Sequence, residues 1–181
     1  MKIGGFCLLI LFSAGCTSAE APVAKLSFSS IYKAGTEYSI IFRADRDMES
    51  FFSYNGKKVV VQRLVCALDE DRDFKIEHDM HRFFRGDLTL QEKETEHRYR
   101  YVSNGNFFTS LDNGGHKRVI QSDEVLRLLA DEVTIDCKVV MTIYLSKPYY
   151  SDTMKIPVVA MTDVLKAAAA PRPCCDIPRS E

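Results

Sequence analysis

Residues 128–141 read "LLADEVTIDCKVVM", and their periodicity carries the argument for the fold. Val133, Ile135, Cys137 and Val139 fall on every second position, with Thr134, Asp136 and Lys138 between them. A period of two is that of a strand with one face buried and the other wet. The segment ahead of it, "SDEVLRLLAD", reads as a short helix. Ser122 is placed to cap it, and Asp123 and Glu124 occupy the first turn, where the helix dipole favours acids.

The same alternation recurs upstream. "LSFSSIY" and "EYSIIFRA" are candidate strands split by a turn at Ala34–Gly35, and "SFFSYNGKKVVVQRLVCAL" reads as a hairpin about Asn55–Gly56. "DEDRD" is a charged turn, and "FKIEHDMHRFF", "DLTLQEK" and "HRYRYV" are further strands. Asn104–Gly105 and Asn113–Gly114–Gly115 predict turns on either side of "NFFTSL". Near the C-terminus, Thr162 is placed to cap "DVLKAAAA", which Pro171 ends. Many short strands with little helix predict an all-β fold, an antiparallel β-sandwich of about eight strands with one or two short helices. The domain spans residues 22–160, and 161–181 form a short helix and a Pro-rich tail.

The chain has 181 residues, of which 46% are apolar and 27% charged, enough for one packed domain. Lys plus Arg number 24 against 25 for Asp plus Glu. That balance gives no electrostatic footprint for nucleic acid or an anionic membrane surface.

Residues 1–21, "MKIGGFCLLILFSAGCTSAEA", read as a secretory signal peptide: Lys2, a short apolar run, then small residues. The run is too short to span a bilayer. Cleavage after Ala21 predicts a secreted, extracellular protein. Alternatively, "SAGC" resembles a bacterial lipobox, with Cys16 lipidated at a membrane facing the periplasm. A cytoplasmic location follows if the apolar start is instead a first strand. Export leaves Cys66, Cys137, Cys174 and Cys175. Cys66 and Cys137 both sit in apolar strand contexts, as a disulfide between two sheets or as two small buried hydrophobes.

Motifs for chemistry are weak. "HDMH" places His78 and His81 three apart, which on a strand sends them to opposite faces, and zinc needs three or four protein ligands. Asp69, Asp71 and Asp73 faintly resemble a calcium loop, but Phe74 stands where the required Gly belongs and Met80 where the bidentate Glu belongs. Neither a phosphate-binding nor a nucleophile-elbow fingerprint occurs. Ser103 and Ser151 have no His and acid assigned to them by sequence. No catalysis, cofactor or metal is expected. In "HRYRYVSNGNFF", basic residues interleave with aromatics, a pattern that also stacks nucleic-acid bases. On a strand, however, Tyr99 and Tyr101 share one face and Arg98 and Arg100 the other, so core aromatics backed by solvated arginines are the simpler reading.

With Leu128, Leu129, Asp131, Val133, Ile135, Cys137, Lys138 and Val139 in this order, the opening stretch resembles the closing strand of MATH (TRAF-C-like) domains, as in speckle-type POZ-like proteins. "HRYRYV" is similar to that family's aromatic strand and "HKRVI" to the basic-apolar strand after its substrate loop. "VVVQRLVCAL", "FKIEHDM" and "GTEYSIIFRA" fit strands further back. The likeness covers about residues 25–145 and is strongest over 97–145. It implies a non-enzymatic module that binds a short peptide or a protein along an aromatic-lined groove. On that resemblance Tyr99 matches a groove tyrosine and His116 falls at a groove aromatic. Gly114 aligns with a missing Trp, for which Phe107 or Phe108 would substitute. Tyr99, Tyr101, Phe107, Phe108 and His116 are thus the candidate peptide-binding residues. The alternative from another class is a bacterial envelope lipoprotein anchored through Cys16, of accessory or toxin-immunity type.

Overall fold

The computed structural model describes residues 21–95, 98–111 and 116–169. In chain order these form β1 (Leu26–Ala34), β2 (Glu37–Ala44), α1 (Met48–Tyr54), β3 (Val59–Ala67), β4 (Arg82–Thr95), β5 (Arg98–Leu111) and β6 (His116–Val119). There follow α2 (Ser122–Leu128), β7 (Thr134–Ile143), β8 (Tyr149–Tyr150), β9 (Met154–Pro157) and α3 (Val158–Ala169). The fold is all-β and antiparallel with short helices, and its core is sandwich-like.

Within β7 the alternation works as the sequence implies. Ile135, Cys137, Val139, Met141 and Ile143 are all buried, whereas Val133 precedes the strand and is exposed. Strand order is β1-β2-β5-β4-β3-β7-β8, with β6 on β5 and β9 on β7. The described strands therefore make one continuous sheet, and its two ends meet. Ala24, just before β1, donates its N–H to the Tyr149 hydroxyl of β8 at 2.7 Å and accepts from the Asp152 N–H at 2.9 Å. Curling in this way encloses one main core, to which Met48 and Phe52 of α1, Val125 of α2, and Met161 and Leu165 of α3 also contribute.

A row of register partners crosses the middle of the sheet: Cys137 on β7, Cys66 on β3, Phe84 on β4 and Phe107 on β5. All four side chains are buried. The cysteines form a disulfide, with Cα atoms 4.0 Å apart. It joins neighbouring strands of one sheet rather than bridging two sheets. Phe107 packs edge-on against Phe84 and Tyr38, at ring-centroid distances of 5.4 and 4.9 Å.

Several local expectations are corrected. "SFFSY" is not a hairpin arm but lies in α1. Asp47 caps that helix by accepting the Ser50 N–H, and Met48 and Phe52, four apart, bury one helical face. Residues 74–81 form a loop rather than a strand, and β4 begins only at Arg82. Asn104–Gly105 is no turn but lies inside the 14-residue β5, where Gly105 pairs with Gly86. Gln121, not Ser122, precedes α2, and the Ser122 hydroxyl instead bonds the Tyr38 hydroxyl at 2.7 Å. Thr162 lies within α3, its hydroxyl bonded to the Val159 carbonyl at 3.1 Å. The described residues hold three short helices rather than one or two. Cys16, Cys174, Cys175 and Asn113–Gly115 lie outside the described residues, as does the signal-like segment up to residue 20.

Candidate binding cleft

Side chains that alternate away from the core of β3, β4 and β7 build an outer face. Val61, Arg63 and Val65 come from β3, Phe83 and Arg85 from β4, and Val140 and Thr142 from β7. Register sets Lys138, Val65 and Arg85 side by side, and Val140 beside Arg63, itself opposite Asp87. The 69–81 loop folds over this face and leaves a cleft of about 150 Å³, walled by Phe74, Lys75, Ile76, His78, Asp79 and Met80. Ala67, Met80 and Phe83 are buried there as a second apolar cluster, supported by Val65, Phe74 and Phe108.

The aspartates of "DEDRD" shape the loop. The Asp69, Asp71 and Asp73 carboxylates each accept the backbone N–H two residues on, at 3.1, 3.3 and 3.1 Å. Successive Asx turns hold the backbone out of a sheet ladder. Further contacts tie the loop down. His78 Nε2 lies 2.8 Å from the Asp71 carboxylate, and His81 Nδ1 lies 3.6 Å from Asp69. Asp79 accepts the Ser110 hydroxyl and lies 3.5 Å from Lys117 Nζ. Arg72 pairs with Asp136 of β7 at 3.2 Å, and the Ile76 N–H reaches the Tyr150 hydroxyl.

Charge at His78 follows from these contacts. The hydrogen bond to Asp71 raises the His78 pKa, helped by the surrounding aspartates and opposed by partial burial. Burial alone would raise the Asp71 pKa. Its hydrogen bonds with His78 and with the Asp73 N–H outweigh that and bring it below the ordinary carboxylate value. The histidines thus serve loop structure. Among the described residues no group of three or more His, Cys, Asp or Glu is arranged to hold a metal ion.

Positive charge dominates the cleft lining. Arg63, Lys75, Arg85 and Lys117 line it with a single carboxylate, Asp79, which Ser110 and Lys117 already engage, while Lys75 pairs with Asp73 outside the lining at 3.3 Å. Arg63 pairs with Asp87 at 3.3 Å. The Arg85 side chain has no hydrogen bond or ion pair among the described residues. Its guanidinium instead lies 5.2 Å from the Phe108 ring centroid and 5.8 Å from that of Phe83. Burial, and then the like charge of Arg63, push the Arg85 pKa down from its ordinary value.

The five residues singled out by sequence do not converge. Tyr101 and Phe107 are core side chains, each only 1% exposed. The Tyr101 hydroxyl accepts the Met48 N–H at 3.1 Å and donates to Asp47, and burial raises its pKa. Tyr99 is half-buried beside a shallow depression shared with Pro22, Phe51 and Tyr54. His116 is exposed on β6. Phe108 alone comes near the cleft, stacked at 5.7 Å on the lining residue Phe83 without lining the space itself. Strand parity explains the split, since Phe107 and Phe108 must point to opposite faces. Ser151, considered as a nucleophile, accepts the Val139 N–H and donates to the Asp152 carbonyl. Sequence reasoning missed Arg85 and Phe83. Their alternation with buried Phe84 was the available signal, obscured by reading residues 74–84 as one strand.

Comparison with known proteins adds no relative: no family model, no curated protein and no solved structure matches the chain. Among the described residues no helix is long and apolar enough to cross a membrane.

Proposed function

We propose that the chain is a non-enzymatic binding module, MATH-like in character, that takes a peptide or protein partner in an oxidising compartment outside the cytoplasm. The observation carrying this reading is the outer-face cleft: preformed, part apolar, and roofed by a loop tied down on several sides. Rigid concave sites with a few convergent polar groups are typical of ligand recognition. The MATH resemblance of Leu128–Val139 supports a peptide role independently of the cleft. The Cys66–Cys137 disulfide supports export, because such bonds persist chiefly in oxidising compartments.

Selection from two phage-displayed random peptide libraries, one fused through its C-terminus and one with a free C-terminus, tests the reading. Val140, half-buried on the cleft wall, is replaced by Trp to fill it. Clones enriched on the wild-type chain should lose binding to a folded Val140→Trp variant. If no clone is enriched, or if every clone ignores the substitution, the cleft is not the binding site.

A further inference from the structure

Resting on the binding-module reading, we propose that the cleft captures the C-terminus of a peptide, with an apolar last side chain on its floor and the terminal carboxylate on Arg85. Three observations converge on this ligand. First, the space is about 150 Å³, lined at its floor by Val61, Val65, Met80 and Phe83. A dry cavity of roughly that volume accepts a benzene ring. It suits one side chain rather than a length of strand.

Second, the charge sign selects which chain end enters. Arg63, Lys75 and Lys117 are each paired with a carboxylate, Asp87, Asp73 and Asp79, at 3.3, 3.3 and 3.5 Å, which leaves the Arg85 guanidinium as the unbalanced charge of the lining. An N-terminal ammonium would be repelled, whereas a carboxylate is attracted. Third, Arg85 is the group left to receive it. Its planar fork is laid against Phe83 and Phe108 and has no acidic or carbonyl partner among the described residues. A guanidinium so oriented matches a carboxylate through two parallel N–H bonds. Its neighbours Arg63 and Asp87 pair with one another at 3.3 Å.

The test uses the disulfide-bonded chain and three probes, followed by ¹H–¹⁵N correlation spectra. One is acetyl-Ala-Ala-Ala-Ala-Phe with a free carboxylate, the second its C-terminal amide, and the third acetyl-Ala-Ala-Phe-Glu-Ala amide, which carries an internal acid only. The free acid should shift the amide signals of Met80, Phe83 and Arg85. The amide and the internal acid should each bind at least about tenfold more weakly, the worth of a charge-assisted hydrogen bond. Arg85→Gln should remove the preference for acid over amide, and Arg85→Lys should restore part of it. Equal affinity of acid and amide, stronger binding of the internal acid, or no shift with any probe would overturn the proposal. Library clones that bind the cleft without a free C-terminus would sink this inference alone and leave the binding module standing.

Discussion

Cys66 and Cys137 stand opposite each other on β3 and β7 as register partners, both fully buried and joined through their sulfurs. Their bond closes a loop across 71 positions of sequence, and the chain-entropy account assigns such a loop on the order of 4 kcal/mol. Replacing both with Ala should lower unfolding stability by about 2–4 kcal/mol. Urea midpoints of the oxidised wild type and the double variant measure this, and coincident curves would deny the bond a stabilising role.

Gly86 and Gly105 pair across β4 and β5 with their backbones in close approach. A Cβ at Gly105 would meet the Arg85 carbonyl oxygen at 2.0 Å and Gly86 Cα at 2.4 Å, and neither backbone atom can give way cheaply. Gly105→Ala should therefore cost about 3 kcal/mol, at the upper end of overpacking effects. Gly35→Ala is the control. Open space surrounds Gly35, so only its φ of +62° is violated, and the loss should be about 1–2 kcal/mol. Chemical denaturation ranks the two, and a reversed order would contradict the close approach.

The His78–Asp71 contact makes loop stability depend on pH in a defined direction. His78 has a raised pKa, so its contribution is complete below the unfolded value of about 6.5 and is lost as pH rises through the folded one. Asp71 has a lowered pKa, so its contribution is complete above about 3.9 and is lost as pH falls through the folded one. The stability difference between wild type and His78→Gln should be largest between about pH 4 and 6.5, and should fade towards pH 8. Hydrogen exchange of the residue 71–81 amides across that range reports it, and a flat difference would remove the ion pair from the account.

Asp47 both caps α1 and accepts the buried Tyr101 hydroxyl. Asp47→Ala should cost about 1 kcal/mol or somewhat more, the loss of an N-cap plus part of a buried polar contact. Asp47→Asn should recover most of the cap. Thermal unfolding of the pair distinguishes this from a surface change, for which the midpoints would stay unmoved.

Much of the architecture was legible because strand parity is a local property. Ile135, Cys137, Val139 and Met141 bury one face of β7 as their spacing requires. The misreadings arose where short-range chemistry had a rival partner. Asn55–Gly56 looked like a hairpin turn, but Asp47 capped a helix ahead of it. Residues 74–81 alternated like a strand, but three aspartates bonded the adjacent backbone and made a loop. Asn104–Gly105 looked like a turn, yet the glycine serves a cross-strand close approach.

By itself the sequence determined the class of fold, its balanced charge, and the strand settings of Cys66 and Cys137, since composition and a period of two need no knowledge of distant neighbours. Only the tertiary structure decided that those cysteines are adjacent, that Tyr101 and Phe107 are core rather than groove, and that Arg85 lies unpaired over Phe83 and Phe108 beneath a tied loop. The reason is register: pairing β3 with both β4 and β7 joins residues far apart in the chain, and no local pattern of side chains records which distant strand will lie alongside.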